Sequence, residues 1–566
     1  MPAEEFPLRF VPAGLDLGDW PAVEAQYRRL ELRDLNTTAD VEQWLADLSE
    51  LDAAVNEEEQ VRYVAMTCQT DDAERERRYL HFVENVAPNL KRWHDRLDRK
   101  LLAAPAAAAL PPHYAVLLRQ IRNRVDIFRE ENVALQTEDE KLRTQYQKIC
   151  AAMTVQFDGR EQTLQQMARY LEETDRPRRQ AAWELVARRR IADRDAIDDL
   201  YDRMVALRDR IARNAGCSDY RAYMFKALER FDYTPAHCEE FHAAVEAVVV
   251  PLKRQMQAQR CRDMELDRLR PWDLAVDPHG RPPLRPFESE TELLDRCAAA
   301  FQKVHPELAA QFDRMRREKL LDLSSRKGKA PGGYMTNFER RRLPFIFMNS
   351  VGRHDDVHTM LHEAGHAFHS FAVRNEPLIA YRSAPMEFNE VASMAMELLC
   401  EDHLGLFYGR EDRNRALRDD LEDVVQILCW IAAVDAFQHW VYLHPAHSRA
   451  DRAAAWRGVM TRFGGVEDWS GYEEFRDWLW HRQLHPFTVP FYYIEYGIAQ
   501  LGALQVWLNS RRDYAAAVRS YRNGLALGGS RPLPELFAAA GTRFDFTRNT
   551  LEPIVAAIQA ELARIP

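Results

Sequence analysis

The sequence predicts a mainly α-helical protein, a large helical body that carries one small β-sheet. Three observations lead there. Apolar residues recur at spacings of three and four through most of the chain, the period of a helix with one buried face. Glycine is scarce, 22 of 566 residues or about 4%, below the ~7% average. Only one short region reads as strand, by its run of β-branched and aromatic residues.

Taken in chain order, Ala103–Pro112 is rich in Ala and Pro and closes an N-terminal helical subdomain over residues 1–110. Ile197, Leu200, Met204, Leu207 and Ile211 mark an amphipathic helix. Pro271–Pro286 holds five prolines and the turn Asp277-Pro-His-Gly280, which demands a loop. Leu343-Pro-Phe-Ile-Phe-Met348 is the strand candidate, and Pro331-Gly-Gly-Tyr-Met-Thr336 before it reads as a turn and a second short strand. Leu421–Tyr442 is apolar on nearly every side, as a buried core helix should be. Ile554, Ile558, Leu562 and Ile565 place a further helix near the C-terminus.

Composition narrows the function classes. Hydrophobic residues are 46% and charged residues 29%, a globular balance. A net charge of −11 and a pI near 6.0 argue against a broad nucleic-acid footprint. Mean hydropathy is −0.48, and no run of the ~18 apolar residues needed for a membrane span stands out. The opening MPAEEFPLRF lacks the basic and then apolar regions of a signal peptide. Eight cysteines lie scattered without a CxxC pair, which fits reduced, mostly buried thiols and a cytoplasmic setting.

The informative stretch is Asp355–His369, which contains His362-Glu363-Ala-Gly-His366. Four residues advance a helix by one turn plus about 40°. The two imidazoles therefore share a face and can chelate one Zn²⁺, while Glu363 stands about 100° away, beside the metal, as a base for its bound water. Asp355 or Asp356 suits the helix N-cap. His354, His358 and His369 extend the same spacing, but a metal at the 362/366 pair lies about 7 Å along the axis from His369. These three are expected to face substrate, support the ligands or pack. A metzincin extension is excluded, because its Gly and His positions hold His369 and Ala372.

A catalytic zinc site needs a third protein ligand and an open position. The stretch from Ser383 to Leu399 reads as a second helix with acids at Glu387, Glu390 and Glu397. Helical geometry alone leaves Glu387 and Glu390 both open.

The block His362–Ser370 (HEAGHAFHS) together with Glu387–Leu399 (EFNEVASMAMELL) resembles the thimet oligopeptidase and oligoendopeptidase F family of zinc peptidases, closest to its bacterial oligoendopeptidase F and Pz-peptidase branch. Gly332-Gly333-Tyr334 ahead of Pro344-Phe-Ile-Phe and the Tyr-rich segment His485–Tyr496 match as well. Weaker echoes are Asn214–Tyr223 and Arg270–Asp273, so the resemblance covers about residue 180 to the C-terminus. It implies a zincin-type helical body with a deep substrate channel. It also implies a helical N-terminal region over 111–180 and a zinc peptidase domain over 181–566. It makes Glu390 the third ligand and Glu397 a carboxylate behind a ligand histidine. The acid that thermolysin-like enzymes carry four residues after the third ligand is absent, since that position is Met394. His485, Tyr493 and Tyr496 take the family's oxyanion-stabilising role, Tyr496 foremost and Tyr492 last. Gly332, Gly333 and Tyr334 fall where a substrate backbone approaches an edge strand.

The reading is therefore a cytoplasmic endopeptidase with one Zn²⁺ per chain, cutting internal bonds of short unstructured oligopeptides, with Glu363 as general base. Neither nucleic acid nor membrane is an expected partner, and the chain is expected as a monomer or homodimer. The alternatives are a zinc carboxypeptidase or dipeptidyl carboxypeptidase on a related helical fold, and a non-catalytic peptide-binding scaffold.

Overall fold

The computed structural model describes residues 5–326, 328–330 and 332–565. Helix accounts for 70% of the chain and the sheets are small, as the apolar period predicts. The chain divides into two units. The first comprises 1–126, 285–416 and 502–544; the second comprises 127–284, 417–501 and 545–566.

In the first unit, the N-terminal helices Trp20–Glu31, Thr38–Cys68 and Ala87–Ala103 enclose Tyr27, Trp44, Trp93 and Leu97 in an apolar core. The Ala/Pro stretch ends the last of these helices at Ala103 and continues as short 3₁₀ turns. The sheet has strands β3 (Leu321–Ser324), β4 (Tyr334–Phe338) and β5 (Leu343–Ser350) in the order β3-β5-β4. β5 is the strand read from its apolar run, and it is buried along nearly its whole length because it is central. β4 pairs with it antiparallel, Tyr334 opposite Phe347, and forms an edge. Pro331, which opens the predicted turn, lies outside the described residues. β3 pairs with β5 in parallel. Its four residues, Leu-Asp-Leu-Ser, are too short and too polar to register as a strand in sequence.

The second unit contains a hairpin that the sequence reading passed over, β1 (Thr154–Phe157) and β2 (Arg160–Thr163). Its signal was present. Asp158 and Gly159 form the two-residue loop, with φ of 55° and 70°, the left-handed pair that an Asp-Gly hairpin turn requires. The helices around it follow their periods. Ile197, Leu200, Met204 and Ile211 are buried on Arg194–Asn214, and Ile554, Ile558 and Leu562 on Arg548–Arg564. The proline-rich stretch is irregular after a short 3₁₀ turn at Pro271–Asp273, and Gly280 closes the Asp277 turn at φ 67°.

The apolar stretch Leu421–Tyr442 lies within one helix, Arg410–Leu443. By length and composition alone this helix could cross a membrane, which the sequence reading did not register. Of its most apolar window 78% is buried inside the protein, the condition of a core helix.

A buried arginine organises the second unit. The Arg208 guanidinium, with no exposed surface, donates to Asp139 at 2.9 Å, to the Tyr442 hydroxyl at 2.8 Å and to the carbonyls of Pro486 and Phe487. Tyr146 adds a second anchor. Its ring stacks on Phe487 with centroids 3.9 Å apart, and its hydroxyl donates to the His481 carbonyl at 2.8 Å. Together they hold the segment that carries His485. Arg208→Met should therefore strip the Arg208 bond from Asp139 Oδ1, leaving Asp139 only its Arg143 partner, strand two carbonyls and cost about 3–5 kcal/mol. Chemical denaturation checks this, with Arg210→Met, on an exposed position of the same helix, expected within about 0.5 kcal/mol of the parent.

Candidate metal centre

The HExxH helix runs from His354 to Val373. Neither predicted acid is its N-cap, which is Arg353. Asp356 sits inside the first turn, and its Oδ2 accepts the backbone N–H groups of Val351 and Arg353, each at 2.8 Å. The capping duty is thus met from the third helical position, the reach-back half of a capping box.

The second helix spans Met386–Cys400 and crosses the first at Gly365. A Cβ at that glycine would lie 2.5 Å from the Ala392 carbonyl oxygen and 2.6 Å from Ser393 Cα. Only glycine allows this contact, since both neighbours are backbone. Tyr521 donates its hydroxyl to the same Ala392 carbonyl at 2.6 Å.

This crossing separates the two candidate carboxylates. Glu390 Oε2 lies 3.4 Å from His362 Nε2 and 3.6 Å from His366 Nε2. His362, His366 and Glu390 form a group whose ligand atoms lie within 4.8 Å of one another. Glu387 is buried one turn away and outside that group. Ser393 donates to Glu390 Oε2 at 3.0 Å and fixes the carboxylate. Glu397 takes the other nitrogen of His362: Nδ1–H donates to Oε1 at 2.6 Å, which leaves Nε2 turned toward Glu390 and His366. His358 Nδ1 lies 3.3 Å from the second Glu397 oxygen, so this histidine braces the carboxylate. His354 is engaged by the Tyr408 hydroxyl at 2.7 Å, and His369 is buried.

The electrostatics suit a cation. Burial opposes charge on His362, but its hydrogen bonds to Glu390 and Glu397 override that and hold its pKa well above the usual histidine range. Desolvation pushes His366 down to about 4. Burial raises Glu397, yet its hydrogen bonds to His358 and His362 win and hold it at about 2, and those of Glu390 to His362 and Ser393 likewise keep it low. Burial pushes the Glu363 carboxyl up to about 7, with the nearby Glu390 charge adding to it, although the backbone of Met335 on β4 hydrogen-bonds to it. The donor set is two neutral-capable imidazole nitrogens and one carboxylate, with a raised carboxyl alongside, which is the chemistry of a catalytic zinc site.

A second cluster, Cys238, Asp435 and His439 in the other unit, also gathers ligand-type atoms. There Arg221 approaches His439 Nδ1 at 3.2 Å. An arginine only donates, so Nδ1 accepts and Nε2 keeps its proton. That nitrogen faces Asp435 Oδ2 at 3.2 Å, and His242 Nε2 approaches the same oxygen at 2.8 Å, a buried histidine–carboxylate network.

The remaining expected residues divide by unit. On the first, Gly332 has a φ of 94°, and a Cβ at Gly333 would meet Thr359 on the HExxH helix at 3.1 Å. Tyr334 stacks on Phe347, centroids 4.8 Å apart, and its hydroxyl pairs with Thr67 at 2.6 Å, so its side chain is committed to packing. On the second unit, His485, Tyr493 and Tyr496 gather around one another. Centroid distances are 4.6 Å from His485 to Tyr493, 5.8 Å to Tyr496 and 5.6 Å between the tyrosines. The helix that carries Tyr496 begins only at Ile494, so Tyr492 and Tyr493 precede it. The turn exists because Phe491 adopts φ 66°, with its N–H donated to Gln438 at 2.9 Å and its carbonyl held by Arg230. Sequence reasoning missed Arg208, Arg230 and Gln438, whose partners lie far away in sequence and leave no local pattern.

Comparison with known proteins adds independent evidence. The profile of peptidase family M3 matches residues 169–555, and that of the peptidase M3 N-terminal domain matches residues 17–128. A curated oligoendopeptidase F homolog of Borreliella burgdorferi is 24% identical over 258 residues, which is 44% of this chain and 42% of that protein. The match thus spans less than half of the curated relative. The structure of Pz peptidase A with an inhibitor superposes with a TM-score of 0.90 at 27% identity, covering 98% of this chain and 99% of that one. An oligoendopeptidase F structure gives a TM-score of 0.89 at 28% identity with the same coverage.

The helix crossing yields a test. Gly365→Ala should force the two helices apart, lower stability by about 1–3 kcal/mol and weaken metal affinity in the same variant. Gly458→Ala, at a helical glycine with open space around it, is expected to raise stability by up to about 1 kcal/mol and to leave metal affinity unchanged. Thermal unfolding and competition with a metal chelator measure both.

Proposed function

This chain belongs to peptidase family M3 and is a metallopeptidase, and we propose that it is a zinc endopeptidase that cuts internal bonds of short, unstructured oligopeptides. The observation that carries this reading is the convergence of His362 Nε2, His366 Nε2 and Glu390 Oε2 beside the raised Glu363 carboxyl. These three side chains would hold one zinc ion, with Glu397 fixing the donor nitrogen of His362. Zinc at such a site supplies Lewis acidity toward the scissile carbonyl and brings the pKa of water to about 7.

The chain's own residues do the rest. Glu363 takes a proton from the attacking water as the new C–O bond forms, then hands it to the amine as the C–N bond breaks. A carboxyl near 7 suits both directions of that transfer at neutral pH. His485, Tyr496 and Tyr493 are the proposed donors to the developing oxyanion, each worth roughly 3 kcal/mol. The substrate backbone is proposed to add to the β4 edge as a further strand, with Gly332 and Gly333 keeping that approach clear of side chains. Tyr334 would contribute through its backbone, because its hydroxyl and ring are already engaged. A reducing, cytoplasmic setting suits the eight free cysteines.

The test is mass spectrometry of a mixed pool of peptides, half with amidated C-termini, incubated with the zinc-loaded protein. Internal cuts in both halves, abolished by a chelator and restored by zinc, are expected. Cuts confined to free C-termini would replace this reading with a carboxypeptidase. No cuts from zinc-loaded protein would leave a peptide-binding scaffold.

A further inference from the structure

His485 can donate a hydrogen bond only through a nitrogen that carries a proton, and a neutral imidazole has one. Which nitrogen it is depends on what its neighbours offer. Gln483, two residues earlier, places its side-chain amide nitrogen 2.7 Å from His485 Nδ1. The same amide presents its oxygen to the indole N–H of Trp430, also at 2.7 Å. An indole nitrogen donates and never accepts, so the amide oxygen must face Trp430 and its NH₂ must face His485. Nδ1 is then the acceptor, and the ring proton resides on Nε2.

The starting point of this relay is rigid. Trp430 packs edge-on against Trp456, centroids 5.7 Å apart, and the Arg482 guanidinium lies 4.8 Å above its ring. Trp456 has no exposed surface and donates its own N–H to the Arg476 carbonyl at 2.9 Å. At the other end, His485 is wedged between Tyr492, 6.0 Å away and near-parallel, and Tyr493. Rotating the amide by half a turn would set NH₂ against the indole N–H, donor against donor. Protonating Nδ1 would set the same conflict at His485.

The geometry points to Gln483 as a positioning residue, held by Trp430, that fixes His485 as the Nε2–H tautomer and so presents a neutral N–H donor for the oxyanion. This rests on the proposed role of His485 in turnover, and it adds the residues that make such a role possible. Burial, which pushes His485 down to about 4, acts in the same sense by keeping the ring neutral. The spacing of a glutamine two residues before the histidine is visible in the sequence, but its meaning depends on Trp430, fifty-three residues upstream.

Two readouts test this separately. In ¹⁵N spectra of histidine-labelled protein, with His485 assigned by its loss in His485→Ala, the parent should show a protonated Nε2 and an unprotonated Nδ1. Gln483→Leu and Trp430→Phe should both give a mixture of tautomers. In steady-state kinetics His485→Ala should lower kcat about 100-fold. Gln483→Leu should lower kcat several-fold with KM unchanged, and adding it to His485→Ala should cause no further loss. A proton on Nδ1 in the parent, or a pure Nε2–H tautomer retained in both variants, overturns the proposal. Full kcat in Gln483→Leu beside a damaged His485→Ala does the same. Full kcat in His485→Ala would instead refute the donor role of His485, while the spectra would still decide the tautomer.

Discussion

The contact between Gly365 and the backbone of Ala392 and Ser393 is the constraint on which the metal centre depends. Two helices that cross with side chains between them keep their axes about 8–10 Å apart. Here a Cβ would overlap the opposing chain, so the helices meet backbone to backbone. That intimacy lets a carboxylate as short as Glu390 reach both imidazoles, and it lets Glu397, two turns on, reach behind the first. Glycine inside a helix costs up to ~1 kcal/mol against alanine. In this place the cost is offset by an approach that no other residue permits.

Around the crossing, two of the three donors are held by partners outside the donor set. His362 spends Nδ1 on Glu397, and Glu390 is pinned by Ser393. The surplus of negative charge, two carboxylates held below their usual range against two imidazoles, favours a cation. Glu363 stands apart from that set. Burial and the neighbouring Glu390 charge raise it, so a residue one position from a ligand acquires the opposite acid–base character. The difference comes from the face of the helix on which each side chain projects.

Much of this was legible in sequence, because HExxH is a helical-spacing argument and spacing is local. The core strand β5, the buried helix around Leu421–Tyr442 and the amphipathic helices at Ile197–Ile211 and Ile554–Leu562 followed from apolar period. The choice of Glu390 over Glu387 did not follow from helical geometry, since it turns on where the two helices cross. The hairpin at Asp158-Gly159 was readable and was missed, its strands being short and polar. The Arg208 anchor and the Phe491 turn were beyond local reading. Both depend on partners dozens to hundreds of residues away, and a left-handed phenylalanine is tolerated only because Gln438 and Arg230 hold its backbone.

The central claim is that one zinc, held by His362, His366 and Glu390, works with Glu363 as the base. Glu363→Gln tests it most directly, because the amide keeps the shape and removes the proton acceptor. Metal analysis and peptide cleavage on the same preparation should give one zinc per chain, as in the parent, with turnover reduced by at least about 100-fold. Turnover within a fewfold of the parent, with zinc fully bound, would contradict the account.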